Sequence, residues 1–216
     1  MCSQRDPDDL TARARIREAA LQQFGEHGFE RATIRGIAEA AGVSSGLVRH
    51  HFGAKEALRD ACDEYLVKAL VQINDQVRAA PNPPDVNYLA VASAAFGPYQ
   101  RYVARALTEG RAAPLFDKLV ELGAQWLADL DAKRPDPPTV SREARATVGA
   151  AMALSVSVLH EHVSRGLGVD LSSPEGGDLL ARVMLDLYSH PYLTPEEAAE
   201  YLAHLPAPES RKAHDD

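Results

Sequence analysis

The chain has 216 residues, enough for one sizeable core or for a module of about 50 residues joined to a larger body. Hydrophobic residues make up 45% and charged residues 25%, the composition of a soluble globular protein, so disordered and collagen-like classes drop out. The net charge of −8 argues against a uniformly basic nucleic-acid binder, yet residues 1–60 are neutral, with nine Lys+Arg against nine Asp+Glu, and all the excess acid lies in the remainder, fourteen against twenty-two.

The opening segment "MCSQRDPDDL" has no apolar signal region. Cys2 stands in it and Cys62 on the apolar stripe of a later helix, a pair that offers neither a disulfide framework nor metal-ligand spacing and fits a reducing compartment. Apolar residues recur with a helical period almost throughout, and no alternating strand stands out, so the expected fold is all-α. The first helix is predicted from about Asp9 to His27, with Ile16, Ala20 and Phe24 on one face and Gly28 as its stop; Phe29 then re-enters the core.

Thr33 is a good N-cap, and Ile34, Ile37, Ala38 and Ala41 follow at the spacing of a two-turn helix with one buried side. Gly42 ends it, because a turn there is most easily made by a residue free to take positive φ. Ser44 caps a second short helix over 45–51, which gives a helix-turn-helix. A long helix is predicted from near Ala54 to about Arg78, with "APNPPD" breaking it at 80–85. Further helices are expected at about 86–110, 113–133, 140–166, 174–189 and 195–205, with Gly97-Pro98 kinking the first of them and a disordered tail over 207–216.

In a helix starting at Ser45, Val48 and Phe52 share one side with Val43 behind them, and Ser45 and Arg49 share the opposite side, flanked by Gly46 and His50. The exposed face, Ser45, Gly46, Arg49 and His50 with Leu47 and His51 at its margins, suits the DNA major groove. Arginine can bond guanine O6 and N7, serine and histidine can meet bases or phosphates, and leucine can touch a thymine methyl. Lys55 lies in the first turn of the next helix, where a cation opposes the macrodipole; a phosphate there would be favoured by both the lysine and the free helix N–H groups. Thr33 begins another helix and is a second candidate phosphate contact, and Arg35 and Ser44 complete the DNA-binding set.

The stretch "AALQQFGEHGFERATIRGIAEAAGVSSGLVRHHFGAKEAL" resembles the TetR family of bacterial transcriptional regulators, with Phe24, Gly28, Thr33, Ile37, Ala38, Gly42, Val43, His51, Phe52, Lys55 and Leu58 where the family pattern wants them. The family usually has tyrosine where this chain has Arg49. The resemblance implies a DNA-binding domain over 9–56, a helical ligand-binding and dimerisation domain over 57–206, and a double-stranded operator as partner. It also implies a homodimer made through two late helices, expected at 142–165 and 175–189. "VGAAMALSVSVL" at 148–159, small or apolar all round, fits a helix buried on every face. Its apolar length falls short of the about 20 residues of a membrane span, so no membrane role is expected and the chain is read as cytoplasmic.

The implied pocket for a small-molecule effector has as candidates Tyr88, Phe96, Tyr99, Tyr102, Phe116, Trp126 and Met152. No other cofactor is expected. His160 and His162 bracket Glu161, but residues two apart on a helix point about 200° apart, so no metal site is assigned. No nucleophile elbow, phosphate-binding glycine loop or metalloprotease helix occurs, so no catalytic residue is assigned and an all-α enzyme has no constellation behind it. The resulting expectation is a ligand-responsive regulator, a repressor released from its operator by a small molecule. The alternative is a DNA-binding scaffold of the same kind that recruits a protein partner.

Overall fold

The structure, a computed structural model, describes residues 7–79, 96–190 and 192–206. Among them are ten α-helices and no strand. The first four are α1 (Pro7–His27), α2 (Ile34–Ala41), α3 (Ser45–Phe52) and α4 (Lys55–Ala79). A 3₁₀ turn over Gly97–Tyr99 leads into α5 (Gln100–Thr108), followed by α6 (Ala113–Asp131), α7 (Arg142–Val158), α8 (His160–Leu167), α9 (Pro174–Ser189) and α10 (Pro195–Ala203).

The N-terminal unit forms where the local signals say it should. Thr33 Oγ1 accepts the amide of Gly36 at 3.0 Å and caps α2. At the other end Gly42 takes φ +66°, and the amides of Gly42 and Val43 close back on Glu39 O and Ala38 O at 3.2 and 2.9 Å, a Schellman turn. Ser44 Oγ then accepts the amide of Leu47 at 3.1 Å and starts α3. Ile16, Ile37, Val48, Leu58, Cys62 and Leu66 are fully buried between α1 and the three helices that follow. Burying a side chain of this size contributes about 1.5–3 kcal/mol.

That core does not stop at the end of the small domain. It continues through Tyr102 and Val103 of α5 into Leu115 of α6 and Leu154 of α7. In the body α6 packs along α7 with Gly123 against Ala146, and Asp131 at the end of α6 holds Arg145 through a two-pronged ion pair at 2.8 and 2.6 Å and Arg142 at 3.3 Å. The connection 132–141 is pinned by these contacts. On α4, Asn74 Oδ1 accepts the indole N–H of Trp126 at 2.9 Å, and Arg78 pairs with Asp129 at 2.9 Å.

Several expectations change. The helix predicted over 140–166 breaks at Leu159, so α7 and α8 are separate segments. Gly97-Pro98 forms a 3₁₀ turn between the helical residue Phe96 and α5, and the residues before Phe96, where the rest of the predicted helix would run, lie outside the described residues. The stretch 148–159 is not enclosed on every face within one chain: Ala150 and Leu154 are buried, while Val148 and Met152 are each 59% exposed. The break predicted at 80–85, the start of the helix predicted at 86 and the tail over 207–216 lie outside the described residues.

Candidate nucleic-acid interface and ligand cavity

α3 is anchored by Val48, which is fully buried, and by Phe52, whose ring packs on the core beneath the guanidinium of Arg13 at 4.9 Å. The opposite side is open: Ser44, Gly46, Arg49 and His50 are exposed, and Ser45 and Leu47 are partly so. The guanidinium of Arg49 makes no hydrogen bond or ion pair with another described residue, which leaves all its donors available. A methyl group on Gly46 would meet nothing closer than Ser44 Oγ at 3.7 Å, so the glycine keeps the helix surface low without being required by the fold.

The other cations nearby are already engaged. Arg35 is exposed on α2 and pairs with Glu39 at 2.8 Å, while Arg17 and Arg59 lie over the rings of Tyr65 and Phe29 at 3.8 and 4.4 Å. Thr33 is exposed at the start of α2, its oxygen accepting the cap bond and its hydroxyl hydrogen left over for a phosphate. His51 is half-buried with its ring edge-on to His50 and Phe52 at 5.5 and 6.2 Å, which puts it at the buried margin of α3.

Lys55 corrects the sequence reading. Its ammonium is not turned outward to an anion: Nζ donates to the carbonyls of Phe29, Ala32 and Glu30 at 2.8, 3.1 and 3.4 Å and sits over the Phe29 ring at 4.4 Å. An ammonium has three hydrogens, and three carbonyls take them. The cation that opposes the α4 dipole is compensated by the loop between α1 and α2, which it holds in place.

Within the body an apolar cavity of about 260 Å³ opens. Leu70 of α4, Phe96, Gly97 of the 3₁₀ turn, and Gln100 and Val103 of α5 form one side. Leu115 and Leu119 of α6 and Leu154 and Ser157 of α7 face them, and Leu180 and Met184 of α9 complete the wall. Among the described residues expected to line a pocket, only Phe96 borders this cavity.

The other aromatics are engaged elsewhere. Tyr99 donates its hydroxyl to Glu18 at 2.7 Å and stacks edge-on with Tyr65; Tyr102 donates to Asp63, whose pKa is raised by burial; Trp126 bonds Asn74; and Phe116 packs on the core. Met152 points to the exterior, and Tyr88 lies outside the described residues. The cavity is lined mainly by aliphatic side chains drawn from five elements, a convergence no local pattern announces.

His160 and His162 part company as their spacing requires: His160 Nε2 lies 3.1 Å from Ser172 Oγ and 3.6 Å from Asp170 Oδ1, and His162 Nδ1 faces Arg165 at 3.3 Å. Serine and aspartate meet the same ring nitrogen of His160. A relay that takes a proton at one nitrogen while a carboxylate holds the other is therefore not formed.

A helix-turn-helix on a helical body with an apolar cavity defines a class, the helix-turn-helix DNA-binding proteins with a C-terminal helical domain. Residues 16–62 match the family model described as "Bacterial regulatory proteins, tetR family". The chain is 41% identical over 122 residues to the HTH-type transcriptional regulatory protein RaaS of Mycobacterium tuberculosis, covering 55% of this chain and 57% of RaaS. It is 51% identical over 47 residues to the HTH-type transcriptional repressor AcnR of Corynebacterium glutamicum, 22% of this chain and 25% of AcnR. The chain thus spans little more than half the length of these curated relatives at best.

Solved structures carry the likeness of fold further. The fatty acid degradation regulator FadR from Bacillus halodurans superposes with a TM-score of 0.61 at 20% identity, over 83% of this chain and 96% of that one. A gamma-butyrolactone receptor (ArpA-like protein) gives 0.57 at 22% identity, over 71% and 82%. Among the described residues no helix is long and apolar enough to cross a membrane.

Proposed function

We propose that the protein is a homodimeric transcriptional regulator, acting as a repressor, that binds an operator through α3 and releases it when a small molecule fills the cavity. DNA recognition falls to the open face of α3, with Arg49 and His50 reaching base edges, Ser45 and Leu47 beside them, and Thr33, Arg35 and Ser44 toward the backbone. The observation that carries the regulatory reading is the double use of α5. Val103 and Gln100 line the cavity, and the neighbouring residues Tyr102 and Arg105 are the surface on which α1 sits. A ligand that moves α5 therefore moves α1, and with α1 the reading head, while Leu70 offers a second route through α4. The effector acts only through its different affinity for the two arrangements, typically about 1–3 kcal/mol of coupling.

The dimer supplies the second half-site. One chain leaves Val148 and Met152 of α7 and Leu185 and Tyr188 of α9 exposed, a level of apolar exposure that a partner surface relieves. Two recognition helices related by a two-fold axis meet half-sites about 34–36 Å apart, or a multiple of that spacing. Selection of duplexes from a random pool with the purified full chain tests the proposal. It predicts an enriched inverted repeat bound by a particle of twice the 23.4 kDa chain mass; a monomer with no enriched sequence would overturn it.

A further inference from the structure

We propose that the cavity selects an uncharged, mainly aliphatic molecule that donates one hydrogen bond to the side chain of Gln100, an inference that rests on the reading of this cavity as the effector site. Two observations carry it. Among the described residues the lining contains no Asp, Glu, Lys, Arg or His, so an ionised head group entering the cavity would lose its water and meet no counter-charge. The side-chain oxygen of Gln100, a residue of that wall, is buried without a hydrogen-bond partner, and a donor in the cavity meets it when the carboxamide turns inward. A buried acceptor in this state costs free energy until a donor reaches it, and most such atoms in folded proteins are paired.

The backbone amide of Gln100 is spent on Gly97 O, so the unmet demand belongs to the carboxamide. The only other polar side chain on the described wall is Ser157 on α7; the remainder is hydrocarbon such as Leu70, Val103, Leu119 and Leu154. The volume of about 260 Å³ lies at the small end for small-molecule sites, which run from roughly 300 to 1,000 Å³. The two other cavities near Tyr102, of about 20 and 10 Å³, are water-sized. Among the described residues, side-chain polarity in the larger cavity is thus confined to Gln100 and Ser157 in an otherwise aliphatic lining, which suits a medium-chain alcohol or a neutral amide rather than a fatty acid anion.

Calorimetric titration of the full chain at pH 8 with 1-octanol, octyl methyl ether and octanoate tests this. The alcohol should bind once per chain, the ether about three- to tenfold more weakly for want of a donor, and the carboxylate at least tenfold more weakly. In Gln100→Leu the ether should still bind and the advantage of the alcohol should vanish. Octanoate binding as tightly as octanol, or an alcohol advantage that persists in Gln100→Leu, would overturn the inference. If none of the three binds, the effector-site reading falls with it. If octanol binds as described and leaves affinity for the selected duplex unchanged, the ligand class stands and the regulatory reading alone is lost.

Discussion

A methyl group on Gly25 would lie 2.9 Å from the amide nitrogen of Tyr102, so α1 and α5 meet backbone to backbone at that point. The seam is tied on both sides: Arg105 Nε donates to Gly25 O at 3.2 Å, and Tyr99 donates to Glu18 at 2.7 Å. Gly25→Ala must push the helices apart, because the nearest obstructing atoms are the main chain of Arg101 and Tyr102 and the Arg101 Cβ, none of which a rotamer change can move. A loss of about 1–3 kcal/mol in urea unfolding is expected, the usual cost of overpacking. An unchanged midpoint would show that the seam is slack and a poor transmitter.

Lys55→Met separates a structural lysine from a phosphate-binding one. Three charge-assisted bonds to carbonyls are lost, and stability should fall by about 1.5–3 kcal/mol. The salt dependence of DNA binding should hardly move, whereas a lysine spent on a phosphate contributes about 0.9 to the slope of log K against log salt. Full stability together with a slope reduced by about one would restore the phosphate reading.

Lys55 also marks how far the sequence reaches. Thr33, Gly42 and Ser44 declare the helix-turn-helix because each acts on atoms within five residues of itself. The partners of Lys55 stand 23 to 26 residues away, and no local pattern foretells them. The pocket aromatics fail for the same reason: Glu18 is 81 residues from Tyr99, Asp63 is 39 from Tyr102, and Asn74 is 52 from Trp126. The aliphatic wall of the cavity was illegible because leucines at helical spacing look alike whether they meet a neighbour or a void. The face of α3 was legible because Val48 and Phe52 fix its rotation.

Gly46→Ala should uncouple stability from recognition. Alanine is favoured over glycine inside a helix by about 0.5–1 kcal/mol, and the added carbon meets only Ser44 Oγ at 3.7 Å, so the melting temperature should rise. Duplex affinity should drop, since the methyl stands on the face offered to the groove. A variant that is more stable and binds equally well would show that the helix does not approach the DNA closely at that point.

Asp131 sets an acid limit for the α6–α7 connection. Its hydrogen bonds to Arg145 and then Arg142 hold its carboxyl below the ordinary value of 3.8. A depressed folded-state value means that the stabilisation is present above 3.8 and is lost as pH falls below it through the depressed value. Asp131→Asn should be less stable than the wild type at neutral pH, and the gap should narrow in denaturation curves taken toward lower pH. A gap constant with pH would remove the ion pair from the account.

Base readout by α3 through Arg49 and His50 is the proposal on which operator recognition stands. Equilibrium binding to the selected duplex, measured for the wild type, Arg49→Ala and the double variant Arg49→Ala/His50→Ala at one fixed salt concentration, tests it most directly. A good bidentate arginine–guanine pair is worth about 1–3 kcal/mol of discrimination. Arg49→Ala should therefore lose roughly five- to 150-fold on the selected site and much less on unrelated DNA, with the double variant losing more. Undiminished affinity and selectivity in the double variant would contradict the assignment of α3 as the reading helix.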